Sequence, residues 1–287
     1  MKRILTATVG IALLAVLLAW GPAWAGWAAV ALVVGLAWDE FLRLGQRRGL
    51  EVHRWPVHGL MALGWVLARE PGPHVGLWGV TTLLTAWLVH AGLLVRPAPT
   101  AAAAFVRTAT WLAVGWGYFL FGGLSLWYLW QTGSSVFADR SFWSSPLVGL
   151  LLTVWTCDTA AYYVGRWQGR HRLAPVVSPH KTVEGALAGL GGAALAAWLW
   201  GRFGSAAVGS VPWYEWVLVG LGVGVVGQVG DLVESAFKRW AGVKDTGRLL
   251  PGHGGMWDRI DSLIFAAPFY YLYWQSGSLA GRWSLSP

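Results

Sequence analysis

The run from Ser235 to Asp261, SAFKRWAGVKDTGRLLPGHGGMWDRID, gathers Lys238, Arg239, Lys244, Asp245, Arg248, His253, Asp258, Arg259 and Asp261 around a glycine-rich turn. At its head, Asp231, Glu234, Ser235 and Lys238 recur at i, i+3, i+4 and i+7, the spacing of one helical stripe. Asp258 and Asp261 lie three apart and can face one way on a helical turn, so with Asp231 they make an oxygen-rich carboxylate set. Mg²⁺ prefers such ligands when it also keeps water and substrate phosphates, and the neighbouring Lys and Arg suit phosphate groups. The glycines of Pro251-Gly252-His253-Gly254-Gly255 allow close backbone approach and positive φ. No second His or Cys sits at ligand spacing from His253, which argues against zinc. The chemistry expected of this stretch is metal-assisted handling of phosphates.

Two further polar clusters interrupt the second half of the chain. In Asp158-Thr-Ala-Ala-Tyr162-Tyr163-Val-Gly-Arg166, residues 158, 162 and 166 fall near one helix face. A carboxylate within an apolar segment is costly and usually faces a bundle interior or a site. Asp158 therefore reads either as a structural relay to Arg166 or as a direct contact to substrate or metal. In Ser178-Pro-His180-Lys181-Thr182-Val-Glu184-Gly185, Ser178 or Thr182 can cap the helix that follows. A helix start beside Lys181 offers N–H groups and a cation to a phosphate, and a plain capping box with a basic residue is the alternative. The scattered His53, His58, His74 and His90 read as interfacial.

The elements that must position these clusters are membrane helices. The 287 residues are 56% hydrophobic and only 12% charged, with 23 Trp and 39 Gly, the composition of an all-α polytopic integral membrane protein. Apolar windows predict about nine transmembrane helices, at roughly 4–20, 23–38, 56–68, 74–95, 109–130, 146–165, 183–200, 213–230 and 261–275. A cytoplasmic N-terminus puts all but Arg69, Arg140, Arg202 and Arg282 of the 21 Lys and Arg on the inner side. The polar clusters then face the cytoplasm from the cell inner membrane. Residues 1–140 supply membrane spans to which the sequence assigns no particular role, and 141–287 form the catalytic membrane domain, the two making one integrated unit. Lys2-Arg3, an apolar run and Ala23-Trp24-Ala25 also fit a cleaved signal peptide, although the run is long enough to span. The lone Cys157 excludes an internal disulfide, and the net charge of +8 points to anionic lipid and phosphate ligands rather than nucleic acid. A homodimer is compatible with all of this.

At these residues the chain resembles the phosphatidate cytidylyltransferase (CDP-diacylglycerol synthase) family. That family's signature, S-x-x-K-R-x₄-K-D and then P-G-H-G-G-x-x-D-R-x-D, is matched by Ser235, Lys238, Arg239, Lys244, Asp245, Pro251 to Gly255, Asp258, Arg259 and Asp261. The segments at Asp158–Arg166 and Ser178–Gly185 also match, with His180 departing from an expected lysine. The resemblance implies Mg²⁺-dependent transfer of CMP from CTP to phosphatidate, giving CDP-diacylglycerol and pyrophosphate. It implies one or two divalent cations on Asp231 and Asp258 with Asp261 supporting, and leaves room for a monovalent ion. Lys238, Arg239 and Lys244 are then expected on CTP phosphates, and Lys181 with Ser178 on either phosphate group. Arg259 is expected on the carboxylates or the lipid phosphate, and Asp158, Ser235, Asp245 and His253 complete the substrate-binding set. The competing readings are a CTP-dependent enzyme acting on another lipid (CDP-archaeol synthase or polyprenol kinase) and an ion-coupled transporter using Asp158 and Asp231.

Overall fold

Apolar runs of this length can satisfy their backbone N–H and C=O groups in lipid only as helices, and helices dominate the chain. The computed structural model describes residues 2–68, 99–136, 142–204, 211–249 and 254–279. The expected span at 74–95 and the loop position His253 lie outside the described residues. In chain order the helices are α1 (Lys2–Trp20), α2 (Ala23–Arg47), α3 (Arg54–Leu67), α4 (Pro99–Trp116), α5 (Gly122–Val136), α6 (Pro146–Gln168), α7 (Val183–Leu199), α8 (Trp213–Trp240) and α9 (Trp257–Leu279). A π-helical turn, Gly117–Phe121, joins α4 to α5, and a second, Trp200–Gly204, extends α7.

Among the described residues, five helical stretches are long and apolar enough to cross a membrane: Ala23–Arg47, Ala104–Thr132, Pro146–Gln168, Val183–Gly204 and Trp213–Trp240. They contain the windows expected at 23–38, 109–130, 146–165, 183–200 and 213–230. The window at 56–68 falls largely in α3, whose 14 residues reach about 21 Å at ~1.5 Å each, short of a ~30 Å hydrocarbon core. The window at 261–275 lies inside α9, which continues through Pro268.

Among the described residues, extended strands pair into a sheet once. Strands β1 (Arg172–Ala174) and β2 (Ser178–Thr182) form a small antiparallel hairpin, pairing Arg172 with Thr182 and Ala174 with Ser178. Thr182 then caps α7, its hydroxyl accepting from Gly185 N at 3.2 Å, which decides between the two capping residues the sequence offered. Glu184, in the first turn of α7, accepts from the backbone N–H of Arg170 and His171 and lies 2.6 Å from His171 Nδ1, tying the hairpin to the helix.

Packing divides the chain into two units. The first comprises Met1–Thr6, Ala28–Leu124 and Phe237–Arg259, and the second Ala7–Trp27, Ser125–Ala236 and Ile260–Pro287. The first has an aromatic core in which Trp38, Phe41, Trp116, Phe119 and Trp257 are almost fully buried. Phe41 stacks on Trp111 with centroids 4.0 Å apart, and Trp111 in turn stacks on Trp240 at 4.8 Å. In the second unit small residues let backbones approach: a Cβ on Gly220 of α8 would stand 2.6 Å from Ala193 O and 2.8 Å from Ala194 Cα of α7. Those neighbours are main chain and cannot move aside cheaply. Gly220→Val is therefore expected to lower stability by about 1–3 kcal/mol in detergent unfolding experiments. Gly191→Val, with nothing within 4 Å of the added carbon, is the matched control and should change the midpoint far less.

Candidate active site

The second unit brings three carboxylates together. Asp231 and Glu234 sit one turn apart on α8 and Asp261 lies near the start of α9, with one oxygen from each within 4.8 Å of the others. The helices approach closely because Gly230 has no side chain; a Cβ there would meet Phe265 Cβ and stand 3.0 Å from Asp261 O. Glu234 is fully buried and Asp231 half-buried. Lys181, delivered by β2, places its Nζ 2.6 Å from Asp231 Oδ2, and Ser235 Oγ donates to Asp231 Oδ1 at 3.4 Å. Asp158, exposed on α6, interacts electrostatically with both Asp231 and Lys181. The Arg166 guanidinium donates to Tyr162 Oη at 3.0 Å, one turn further along α6.

Ser178 also belongs to the second unit, on β2, while the first unit holds Lys238, Arg239, Lys244, Asp245, Asp258 and Arg259. Asp258 accepts from Lys238 Nζ at 2.7 Å on Oδ1, and from Thr246 N (3.0 Å) and Gly255 N (2.8 Å) on Oδ2. Thr246 Oγ1 lies 3.0 Å from the same Oδ2. Gly254 turns the chain at φ +80°, where a side chain would be strained and its Cβ would also crowd Asp258. Arg239 donates to Val243 O at 3.1 Å just past the end of α8. Lys244, Asp245 and Arg259 are exposed.

Of the three carboxylates that the resemblance marks for metal, Asp231 and Asp261 thus stand with Glu234. The oxygens of Asp258 are engaged by Lys238 and by the loop that precedes α9. Glu234 carried a signal in the sequence, since it shares the Asp231 stripe at i+3. Thr246 carried none, because its partners arrive through the turn of the loop. A set of hard carboxylate oxygens, flanked by an ammonium and a hydroxyl, fits Mg²⁺ by donor chemistry, and the absence of thiol or imidazole in the set disfavours softer metals.

Comparisons with known proteins identify the family. The sequence model of the cytidylyltransferase family matches residues 1–276. The chain belongs to that family. This cytidylyltransferase is 34% identical over 299 aligned residues to a phosphatidate cytidylyltransferase of Synechocystis sp., covering 95% of each chain. It is 46% identical over 120 residues to the phosphatidate cytidylyltransferase of Bacillus subtilis, covering 42% of this chain and 44% of that protein. With that of Brucella suis the identity is 41% over 163 residues, 57% of this chain and 56% of that one.

The two ion pairs should respond differently to loss of the lysine. Lys238 and Asp258 are 13% and 7% exposed, whereas Lys181 and Asp231 are 26% and 31% exposed. Removing one partner of a buried pair costs about 3–5 kcal/mol, and an exposed pair contributes about 0–1 kcal/mol. Lys238→Met is therefore expected to be clearly destabilising in detergent unfolding, and Lys181→Met nearly neutral.

Proposed function

We propose that this cytidylyltransferase transfers the cytidylyl group of CTP to phosphatidate, forming CDP-diacylglycerol and pyrophosphate in an Mg²⁺-dependent reaction. The observation that carries the reading is the Lys181–Asp231 pair at the edge of the three-carboxylate group, in a chain that aligns end to end with a phosphatidate cytidylyltransferase. A phosphate oxygen of the lipid attacks the α-phosphorus of CTP and the bond to pyrophosphate breaks, so the protein's task is positioning and charge neutralisation. Asp231, Glu234 and Asp261 would hold the Mg²⁺, which supplies Lewis-acid neutralisation of phosphate charge when bound. Lys181, with Ser178 on the same strand, takes a phosphate group. Arg239, Lys244 and Arg259 supply further positive charge, and Asp158, Ser235, Asp245 and His253 belong to the substrate-binding set. Asp258 acts through the contacts that hold Lys238 and the loop in place. The N-terminus and the polar clusters face the cytoplasm, where CTP is dissolved, and phosphatidate reaches the site from the inner membrane.

Purified protein with α-labelled CTP and phosphatidate should yield labelled CDP-diacylglycerol and one pyrophosphate per turnover. Release of CDP with phosphorylation of the lipid would instead identify a kinase, and ion flux in liposomes without CTP would identify a transporter. Asp231→Asn and Glu234→Gln should each lower turnover by about 10²–10³-fold, because each removes a charge aimed at the reacting centre without changing volume. Near-wild-type activity of either variant at limiting Mg²⁺ would remove that residue from the metal set.

A further inference from the structure

Glu40 of α2 lies in the N-terminal half, in the stretch Trp38-Asp39-Glu40-Phe41. Its carboxylate is buried, at 7% exposure, in the first unit, whose core is aromatic. Both oxygens are nevertheless engaged: Oε1 accepts from Met256 N at 2.9 Å, and Oε2 accepts from Trp257 N at 2.9 Å and from Thr246 Oγ1 at 2.7 Å. The partners stand 206 to 217 residues away along the chain. Met256 and Trp257 open α9, so two of the N–H groups that a helix start leaves unpaired are capped by an anion from another helix. The loop is shaped to receive it. A methyl group on Gly247 or on Gly255 would run into the Glu40 carboxylate.

From the other side, Asp258 holds the same loop through Thr246 and Gly255. The Thr246 hydroxyl lies between the two carboxylates, within 3.0 Å of both. Burying a carboxylate is costly, and an apolar residue of similar volume usually serves stability as well or better. Its presence here therefore points to a need for fixed geometry. We propose that Glu40 is a positioning residue of the transferase: it tethers Thr246 and the backbone of Met256 and Trp257 at the start of α9, and so sets the place of Asp258 and Lys238. This rests on the reading of the loop as part of the nucleotidyl-transfer site, and it gives the N-terminal half a part in the reaction.

The test compares Glu40→Gln, Glu40→Asp, Thr246→Val and the Glu40→Gln/Thr246→Val double variant, in full-length protein recovered as a folded, monodisperse species. Glutamine keeps the volume but presents one acceptor oxygen and an NH₂ group to three donors. Aspartate keeps both acceptor oxygens on a shorter stem. A tether predicts that Glu40→Gln loses about 10²-fold in kcat, the scale of a small misplacement of reacting groups, and that Glu40→Asp retains more activity than Glu40→Gln. A volume-filling role predicts the reverse order. Adding Thr246→Val to Glu40→Gln should cost less than it costs wild type, since both remove one contact set. Amide hydrogen exchange at Met256 and Trp257 should accelerate in Glu40→Gln while exchange in α6 and α7 stays unchanged.

Wild-type kcat in Glu40→Gln, or greater activity in Glu40→Gln than in Glu40→Asp, overturns the proposal. Unchanged exchange at Met256 and Trp257 does so as well. If no Glu40 variant folds, Thr246→Val decides alone, through lowered kcat with faster exchange at Trp257 or through neither. Failure of wild-type protein to form CDP-diacylglycerol would instead remove the transferase reading, while the exchange experiment would still report whether Glu40 holds the loop.

Discussion

A carboxylate within an apolar protein is costly unless donors or a cation meet its oxygens, and in the first unit two carboxylates are met by converging donors. Asp258 receives the Lys238 ammonium and two backbone N–H groups, and Glu40 receives two backbone N–H groups and the Thr246 hydroxyl. The donors to Asp258 stand 3 to 20 residues away and those to Glu40 206 to 217 residues away, so meeting the need of each carboxylate also fixes the fold around it. A side chain so restrained is poorly suited to move with a ligand and well suited to hold other groups still. Asp231 contrasts with both. Its half-buried carboxylate has one close ion pair, to a lysine at the edge of a small hairpin, and two acidic neighbours. Charge held this way can be redistributed when a cation or a phosphate arrives.

Close backbone approach is the second requirement, and glycine supplies it at the points that matter. Gly230 brings α9 against α8 where Asp231 and Asp261 meet, and Gly255 brings the loop onto Glu40 and Thr246. The same residues that allow the contacts leave nothing to brace them, which is why the hydrogen bonds to the carboxylates must do so.

Much of this was legible in the sequence, for reasons that can be named. The helical character and the apolar windows follow from hydropathy alone, and the Asp231 stripe follows from the period of a helix. The Thr182 cap was one of two candidates that local pattern allowed, and only the strand pairing of Ser178 resolves the choice. The hairpin is not legible in the sequence, since strands of three and five residues leave no periodic trace. Glu234 is legible on the same stripe as Asp231, whereas the contacts of Asp258 with Lys238 and Thr246 depend on how the loop turns. Glu40 and Thr246 were invisible. Their partners are set by tertiary closure over some two hundred residues, which no local spacing encodes.

The π-helical turn at Gly117–Phe121 constrains the first unit in a way that composition does not. Tyr118 within it accepts a hydrogen bond from the Trp257 indole N–H at 3.2 Å, beside the backbone N–H that Glu40 caps. A π turn accommodates one more residue than a regular helix over the same rise, and each residue in a helix advances the side-chain direction by about 100°. Losing one of the other residues of this turn is expected to restore an ordinary helix and shift the register in which the tyrosine meets the indole. Through this segment the protein is sensitive to chain length more than to side-chain identity, and natural variation there should be by substitution rather than by insertion or deletion.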